Sequence, residues 1–261
     1  MRHASRVIFL ALLTLYSIHK AGATELSYPE VLIDDVKYVV AAPARWEEAE
    51  WQKAGWASLA VAGTALVIDR PLRDEMRRHK GNNTFITQAE RFGAQYAAGV
   101  IGGFYVMGVL TDDKTSMQVA QDGIAASLIA SGIITPTIKL VAGRSRPRAD
   151  EGANHFKPFS NGNSSFPSGH TTEAFALASV VANHYDGEWV SYTSYSIAGL
   201  VGLARTYHHA HFASDVVAGA MIGTLVGKSV VEHNASLRSG KLVLLPDLAP
   251  GLIGVRINGS F

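Results

Sequence analysis

Six apolar stretches alternate with short polar ones along the 261-residue chain, at residues 54–68, 92–111, 123–138, 174–182, 189–204 and 216–227. Their length favours helices over strands, because strands seldom run past eight residues. They are rich in Ala and Gly, whose small side chains let helix backbones approach closely. The pattern predicts an all-α protein, a compact bundle of about six core helices. A polar helical pattern starts at Trp46-Glu47-Glu48-Ala49-Glu50-Trp51, after Pro43 interrupts the mixed segment 28–42. At the other end, residues 242–245 and 252–257 flank Pro246-Asp247-Leu248-Ala249-Pro250-Gly251, which reads as a short C-terminal β-hairpin.

Only residues 92–111 reach the roughly 20 uncharged positions that a membrane-spanning helix needs. The other stretches are shorter and mean hydropathy is modest at +0.12, so a tightly packed soluble bundle is the expectation, with peripheral membrane attachment compatible with it. Residues 1–6 carry Arg2 and Arg6, residues 7–18 are almost wholly apolar, and Ala21-Gly22-Ala23 supplies small residues for cleavage. This is the layout of an export signal, with maturation expected after Ala23 and a periplasmic or exported destination; the alternative is an uncleaved anchor. The organisation read from the chain is a signal peptide at 1–23, an N-terminal extension at 24–49, the main domain at 50–235 and a hairpin tail at 236–261.

Charge changes the picture little overall: 23 Lys plus Arg face 22 Asp plus Glu. No global field calls for nucleic acid, so affinity for anions has to be local. There is no cysteine, which leaves an exported chain to be held by packing and removes cysteine-based metal sites.

The local chemistry sits in three ordered strings: Lys139 to Arg146-Pro147, Pro167-Ser168-Gly169-His170, and Arg205 to His211 to Asp215. A phosphoryl group in transfer spreads charge over its equatorial oxygens, so catalysis is mainly placement and charge stabilisation. Lys139, Arg146 and Arg205 can grip those oxygens, arginine with a planar fork that keeps its charge. Lys139 and Arg146 are two helical turns apart, with Gly143 and Pro147 ending the helix near Arg146. Taken alone, Arg144, Arg146 and Arg148 read as a solvated basic loop. Ser168 suits an N-cap, Gly169 lets an anion approach the main chain, and His170 is placed to protonate a leaving oxygen. The four-residue spacing of His211 and Asp215 puts them on one side of a helical turn, the carboxylate orienting the imidazole as a nucleophile for phosphorus. Asp215 as the cap of the following helix is compatible with that role. His208 and His209 receive no role. Histidine clusters often bind metal, but no His-Glu-x-x-His run or carboxylate pair accompanies these, and three cations would repel a metal ion. No metal and no other cofactor is expected.

The strings resemble the type 2 phosphatidic acid phosphatase superfamily, which includes bacterial non-specific acid phosphatases and vanadium haloperoxidases. Its pattern of Lys, six residues, Arg-Pro; Pro-Ser-Gly-His; and Ser-Arg, five residues, His, three residues, Asp is met at Lys139, Arg146-Pro147, Pro167–His170, Arg205, His211 and Asp215. Ala204 departs from the serine often found before the arginine. The resemblance covers about residues 50–235 and implies a helical bundle with the phosphate pocket between helices. It implies a metal-independent phosphatase acting on phosphate monoesters through a phosphohistidine: lipid phosphates or pyrophosphates, or soluble esters. Catalytic roles fall to His211, His170 and Asp215, and substrate binding to Lys139, Arg146, Ser168, Gly169 and Arg205. A vanadate-dependent haloperoxidase using the same pocket and an inactive phosphate-binding membrane protein are the alternatives. The expected partner is the phosphate ester, with membrane association and without nucleic acid.

Overall fold

The computed structural model describes residues 27–78, 83–160, 164–239, 243–249 and 252–258; the expected signal peptide lies outside them. The described residues form ten α-helices: α1 (Tyr28–Val40), α2 (Glu48–Val67), α3 (Asp69–Arg78), α4 (Thr84–Glu90), α5 (Gln95–Thr111), α6 (Lys114–Ser127), α7 (Thr135–Ala142), α8 (Gly169–His184), α9 (Glu188–Tyr207) and α10 (Ala213–Arg238). A π-helical turn over Leu128–Ile134 joins α6 to α7, directly before Pro136, which has no N–H to continue an α ladder. The fold class is all-helical. The backbones of β1 (Val243–Ala249) and β2 (Leu252–Asn258) pair antiparallel with each other, Val243 opposite Asn258 and Ala249 opposite Leu252, after the helical body has ended.

Helix α8 is the centre of the bundle. One core cluster joins Ala176 and Val180 of α8 to Val119, Ala125 and Ala126 of α6, Ile129 and Ala130 of the π turn, and Val226, Val230 and Val231 of α10. A second joins Ala174 and Ala178 to Ala198 and Val201 of α9. Helices α8 and α10 meet backbone to backbone: a Cβ on Gly219, Gly223 or Gly227 would collide with the carbonyl oxygens of Ser168, Thr172 and Ala176 respectively. This stripe is what the Gly- and Ala-rich pattern foretold.

At the far end of that helix pair lies a buried polar cluster. Asp122 of α6 pairs with His184 at 2.8 Å and with Arg238 at 3.1 Å, and Asn234 donates to both Asp122 (2.9 Å) and Asp35 (3.2 Å). His233 contacts Asp34 at 2.9 Å and stacks on Tyr38. These bonds tie α1 into the body, although the sequence placed residues 24–49 outside it. The segment's charged residues, which hid its helix from an apolar-run reading, are the groups that dock it.

Three sequence expectations are corrected. Residues 92–111 are not one helix: the chain breaks at Ala94, and Thr84–Gly93 meets Gln95–Thr111 at 60°. Residues 54–68 form a helix but not a core one, since α2 buries none of its residues and exposes Trp56, Leu59, Leu66 and Val67. Finally, the stretches judged too short to span a membrane extend further. Lys114–Ala142 and Ala213–Arg238 are both long and apolar enough to cross one. Asp122 and Lys139 interrupt the apolar run in the sequence, but Asp122 is buried and paired and Lys139 turns inward onto carbonyl oxygens, so neither counts against a lipid-facing surface.

Candidate active site

The three strings converge where α7 ends and α8 and α10 begin. Helix α7 stops at Ala142, with Gly143 in the left-handed conformation and its N–H on Lys139 O. The helix therefore ends four residues before Arg146, which stands in extended backbone ahead of Pro147 (φ −80°, ψ 152°), as a residue preceding proline should. Loop 143–165 folds back on this exit: Lys157 N–H bonds Gly143 O, Ser145 N–H bonds His155 O, and Ser165 N–H bonds Arg144 O.

Lys139 sends its ammonium to the carbonyl oxygens of Ser164 (2.6 Å), Ser165 (3.3 Å) and Pro167 (2.6 Å). It thus fastens the loop leading into Pro167-Ser168-Gly169-His170. Arg146 is half-buried and reaches Ser164 Oγ at 3.3 Å. Burial first, then the charges of Arg148 and Arg205, lower its pKa.

Ser168 occupies the N-cap position of α8, but its side chain caps nothing. Its hydroxyl instead accepts from Thr171 Oγ1 at 2.8 Å, and its N–H donates to Asp215 O at 2.9 Å. A methyl on Gly169 would meet only Thr135 and Lys139, at 3.6 and 3.9 Å. The fold itself therefore does not demand glycine there. His170 follows on the first turn, with Gly93 packed so closely on its carbonyl that a Cβ would clash. Burial, then Arg205, lowers the His170 pKa to about 4, with smaller contributions from Arg146 and Lys139.

The third string makes a tight reversal after α9. The N–H groups of Ala210 and His211 both return to Arg205 O. Arg205 is buried and its guanidinium pairs with Glu90 of α4, which also contacts His208. His211 precedes α10 rather than lying on it. The carboxylate of Asp215 accepts from the N–H of the N-cap residue, Phe212, at 2.9 Å and from Ser165 Oγ at 2.5 Å. His211 Nδ1 stands 3.6 Å from Asp215 Oδ2, near enough for charge attraction and beyond hydrogen-bond length. Burial lowers the His211 pKa to about 4, Asp215 pulling against it and Lys139 and Arg205 adding to it.

Four groups escaped the sequence reading. Arg144, expected in a solvated loop, is 2% exposed and donates to Asp215 Oδ1 and Asp69 Oδ2, both at 2.6 Å, and to Ser214 Oγ and Ala153 O. Asp69 of α3 also accepts from the Ser214 N–H and hydroxyl at 2.8 and 2.6 Å. Glu90 and Ser165 complete the set. Arg144 had a signal, its place in the Arg-rich string; Asp69 and Glu90, more than a hundred residues from their partners in two of these contacts, had none. A shallow depression lined in part by Asp69, Arg73, His209, His211 and Phe212 borders the site on the α3 side.

Parts of the chain are similar to known proteins. Over 74 residues the chain is 39% identical to the lipid A 1-phosphatase of Porphyromonas gingivalis, covering 28% of this chain and 17% of that protein. Over 134 residues it is 28% identical to lipid phosphate phosphatase 1 of Arabidopsis thaliana, covering 40% and 41%. The chain spans less than half the length of the curated relatives it matches. Among solved structures, Aquifex aeolicus LpxE aligns over 64% of this chain and 96% of its own, with 20% identity and a TM-score of 0.48. Residues 123–235, which hold all three strings, match the model of the PAP2 superfamily.

Proposed function

We propose that the chain is a metal-independent phosphatase that hydrolyses phosphate monoesters, a lipid phosphate or pyrophosphate in the first place, through a phosphohistidine on His211. The observation that carries this reading is the convergence of Lys139, Arg146 and Arg205 on two histidines: their charges act on His170 together, and those of Lys139 and Arg205 also act on His211.

In the first step His211 Nε2 forms a bond to phosphorus as the bond to the leaving oxygen breaks. His170 delivers a proton to that oxygen. Asp215, opposite Nδ1, stabilises the positive charge that develops on the ring. Water then attacks phosphorus as the phosphorus–nitrogen bond breaks, His170 takes the proton from the water, and phosphate leaves with His211 restored. Both histidines are held neutral before substrate arrives. A phosphate dianion in the cage offsets the cations and raises the His170 pKa, so the acid gains its proton when it is needed. Arg146 and Arg205 hold the equatorial oxygens, and the Gly169 N–H faces the anion at the start of α8. Lys139 fixes the loop and adds charge.

Two observations favour a lipid substrate and a membrane-associated protein. The relatives are named as lipid phosphatases. Helices apolar on all sides yet exposed, α2 above all, suit a lipid surrounding.

The test is to mix enzyme with a 32P-labelled phosphate ester, quench in alkali and map the label. Label on His211, stable to alkali and lost in acid, is the expected result. Absence of label, or label on another side chain, overturns the mechanism. Phosphate release should persist in EDTA and be inhibited by vanadate. A panel of lipid and soluble phosphates assigns the substrate, with higher kcat/KM on a lipid expected.

A further inference from the structure

We propose that Arg144 and Asp69 are positioning residues for the Asp215–His211 pair, Arg144 aiming the carboxylate and Asp69 preserving its negative charge. This rests on the phosphohistidine reading and deepens it. Asp69 belongs to α3, outside the family-matched residues 123–235, so a helix beyond the domain completes its site.

Asp215 is fully buried and has two oxygens with different duties: Oδ1 takes Arg144, while Oδ2 takes Ser165 and Phe212 N–H and faces His211. Arg144 therefore fixes which oxygen the imidazole sees. Paired with Asp215 alone, however, a buried guanidinium would cancel the charge that the ring needs when it becomes cationic. Asp69 takes the other guanidinium nitrogen at the same 2.6 Å. The trio then carries two carboxylates and one cation, a net charge of −1 behind His211. Ser214 closes the arrangement, its hydroxyl accepting from Arg144 and donating to Asp69, and the guanidinium lies over the Phe212 ring at 4.3 Å. No solvent-exposed charge enters this network, so its field is little screened.

The charged and titratable groups around His211 are Asp215 on α10, Lys139 on α7, Arg205 on α9, His170 on α8, Arg144 and Arg146 on the α7 exit, Asp69 and Arg73 on α3, and His209 in the adjoining turn. Of these only Asp69 and Arg144 change in the test. Asp69→Asn removes the net negative charge, and Arg144→Met increases it. The double variant restores it. The acid limb of the kcat/KM–pH profile should therefore move to lower pH by about half a unit or more in Asp69→Asn, to higher pH in Arg144→Met, and return near wild type in the double variant. In Asp69→Asn kcat should fall on the order of 10- to 100-fold with KM nearly unchanged, the scale of losing an outer-layer partner. A purely structural role would lower activity equally at every pH and leave the limb in place.

If Asp69→Asn does not fold, Asp69→Glu carries the test, since it keeps the charge and displaces it: kcat should fall several-fold with the limb held. Wild-type kcat in whichever variant folds, or a limb that fails to follow the charge, overturns the proposal. Wild-type enzyme that still labels on His211 confines that failure to Arg144 and Asp69, whereas unlabelled wild type would bring down the mechanism beneath.

Discussion

The two ends of the α8–α10 helix pair bury polar clusters of opposite character. At one end four cations, Lys139, Arg144, Arg146 and Arg205, outnumber Asp215, Asp69 and Glu90, and both histidines are held neutral. At the other, Asp34, Asp35 and Asp122 face Arg238 and two histidines, with Asn234 bridging the carboxylates. The far cluster docks α1 and holds three carboxylates against one guanidinium, burial and the neighbouring Asp122 and Asp34 pushing the Asp35 pKa up to about 8. The near one holds a surplus of positive charge, which the proposed phosphate would offset. Burial alone does not mark a functional site; the sign of the unbalanced charge is what tells these two ends apart.

Substitution should separate the two ends. The largest effect is expected from His211→Asn, which should reduce kcat by roughly a thousandfold or more while leaving the melting temperature within a few degrees; comparable activity would erase the contrast. Asp122→Ala should do the reverse. Removing one partner of a buried pair costs about 3–5 kcal/mol, so denaturant or thermal unfolding should show a large loss, whereas kcat per folded molecule should stay near wild type. Gly169→Ala sharpens the near end: with van der Waals room already present, stability should hold in a thermal melt while kcat/KM falls on the order of tenfold or more, because the methyl meets the substrate rather than the protein.

The smallest and most telling difference concerns pH. His170 and His211 are lowered from 6.5 to about 4, so the unfolded chain takes up their protons first, and their contribution to stability is lost as pH falls from 6.5 through 4. Asp35 is raised from 3.8 to about 8, chiefly by burial. Its contribution is complete below 3.8 and is lost as pH rises through 8. Unfolding followed against pH should therefore show His211→Asn relieving the acid-side decline and Asp35→Asn relieving the alkaline-side one. Identical profiles for the two variants would show that the ends are not electrostatically distinct.

Much of the near end was legible because its members lie close in sequence. Lys139 with Arg146, Ser168 with His170, and His211 with Asp215 each reveal themselves by short spacing within one turn or loop. Asp69 and Glu90 do not, because their partners come from elements far along the chain, and a lone Asp before Arg70-Pro71 looks like any helix start. Helices were read well where apolar residues ran together, yet α1 and α3 were hidden by their charges. The pattern of α2 gave its helicity but not its surroundings: apolar residues on every side say that water is avoided, not whether protein or lipid replaces it.

The glycine stripe of α10 has a consequence for how this molecule can vary. Since Gly219, Gly223 and Gly227 rest on the main chain of α8, the gap between the two rods is set by peptide groups, with no side chain to trim or swap. The Ser168 N–H bonds directly to the Asp215 carbonyl at the top of this contact, so the seam works as a calliper whose jaws are Asp215 and the Ser168-Gly169 turn. One methyl inserted at mid-length would open the jaws. Divergence is thus steered to the outward faces, leaving the calibrated gap as the least adjustable dimension of the protein.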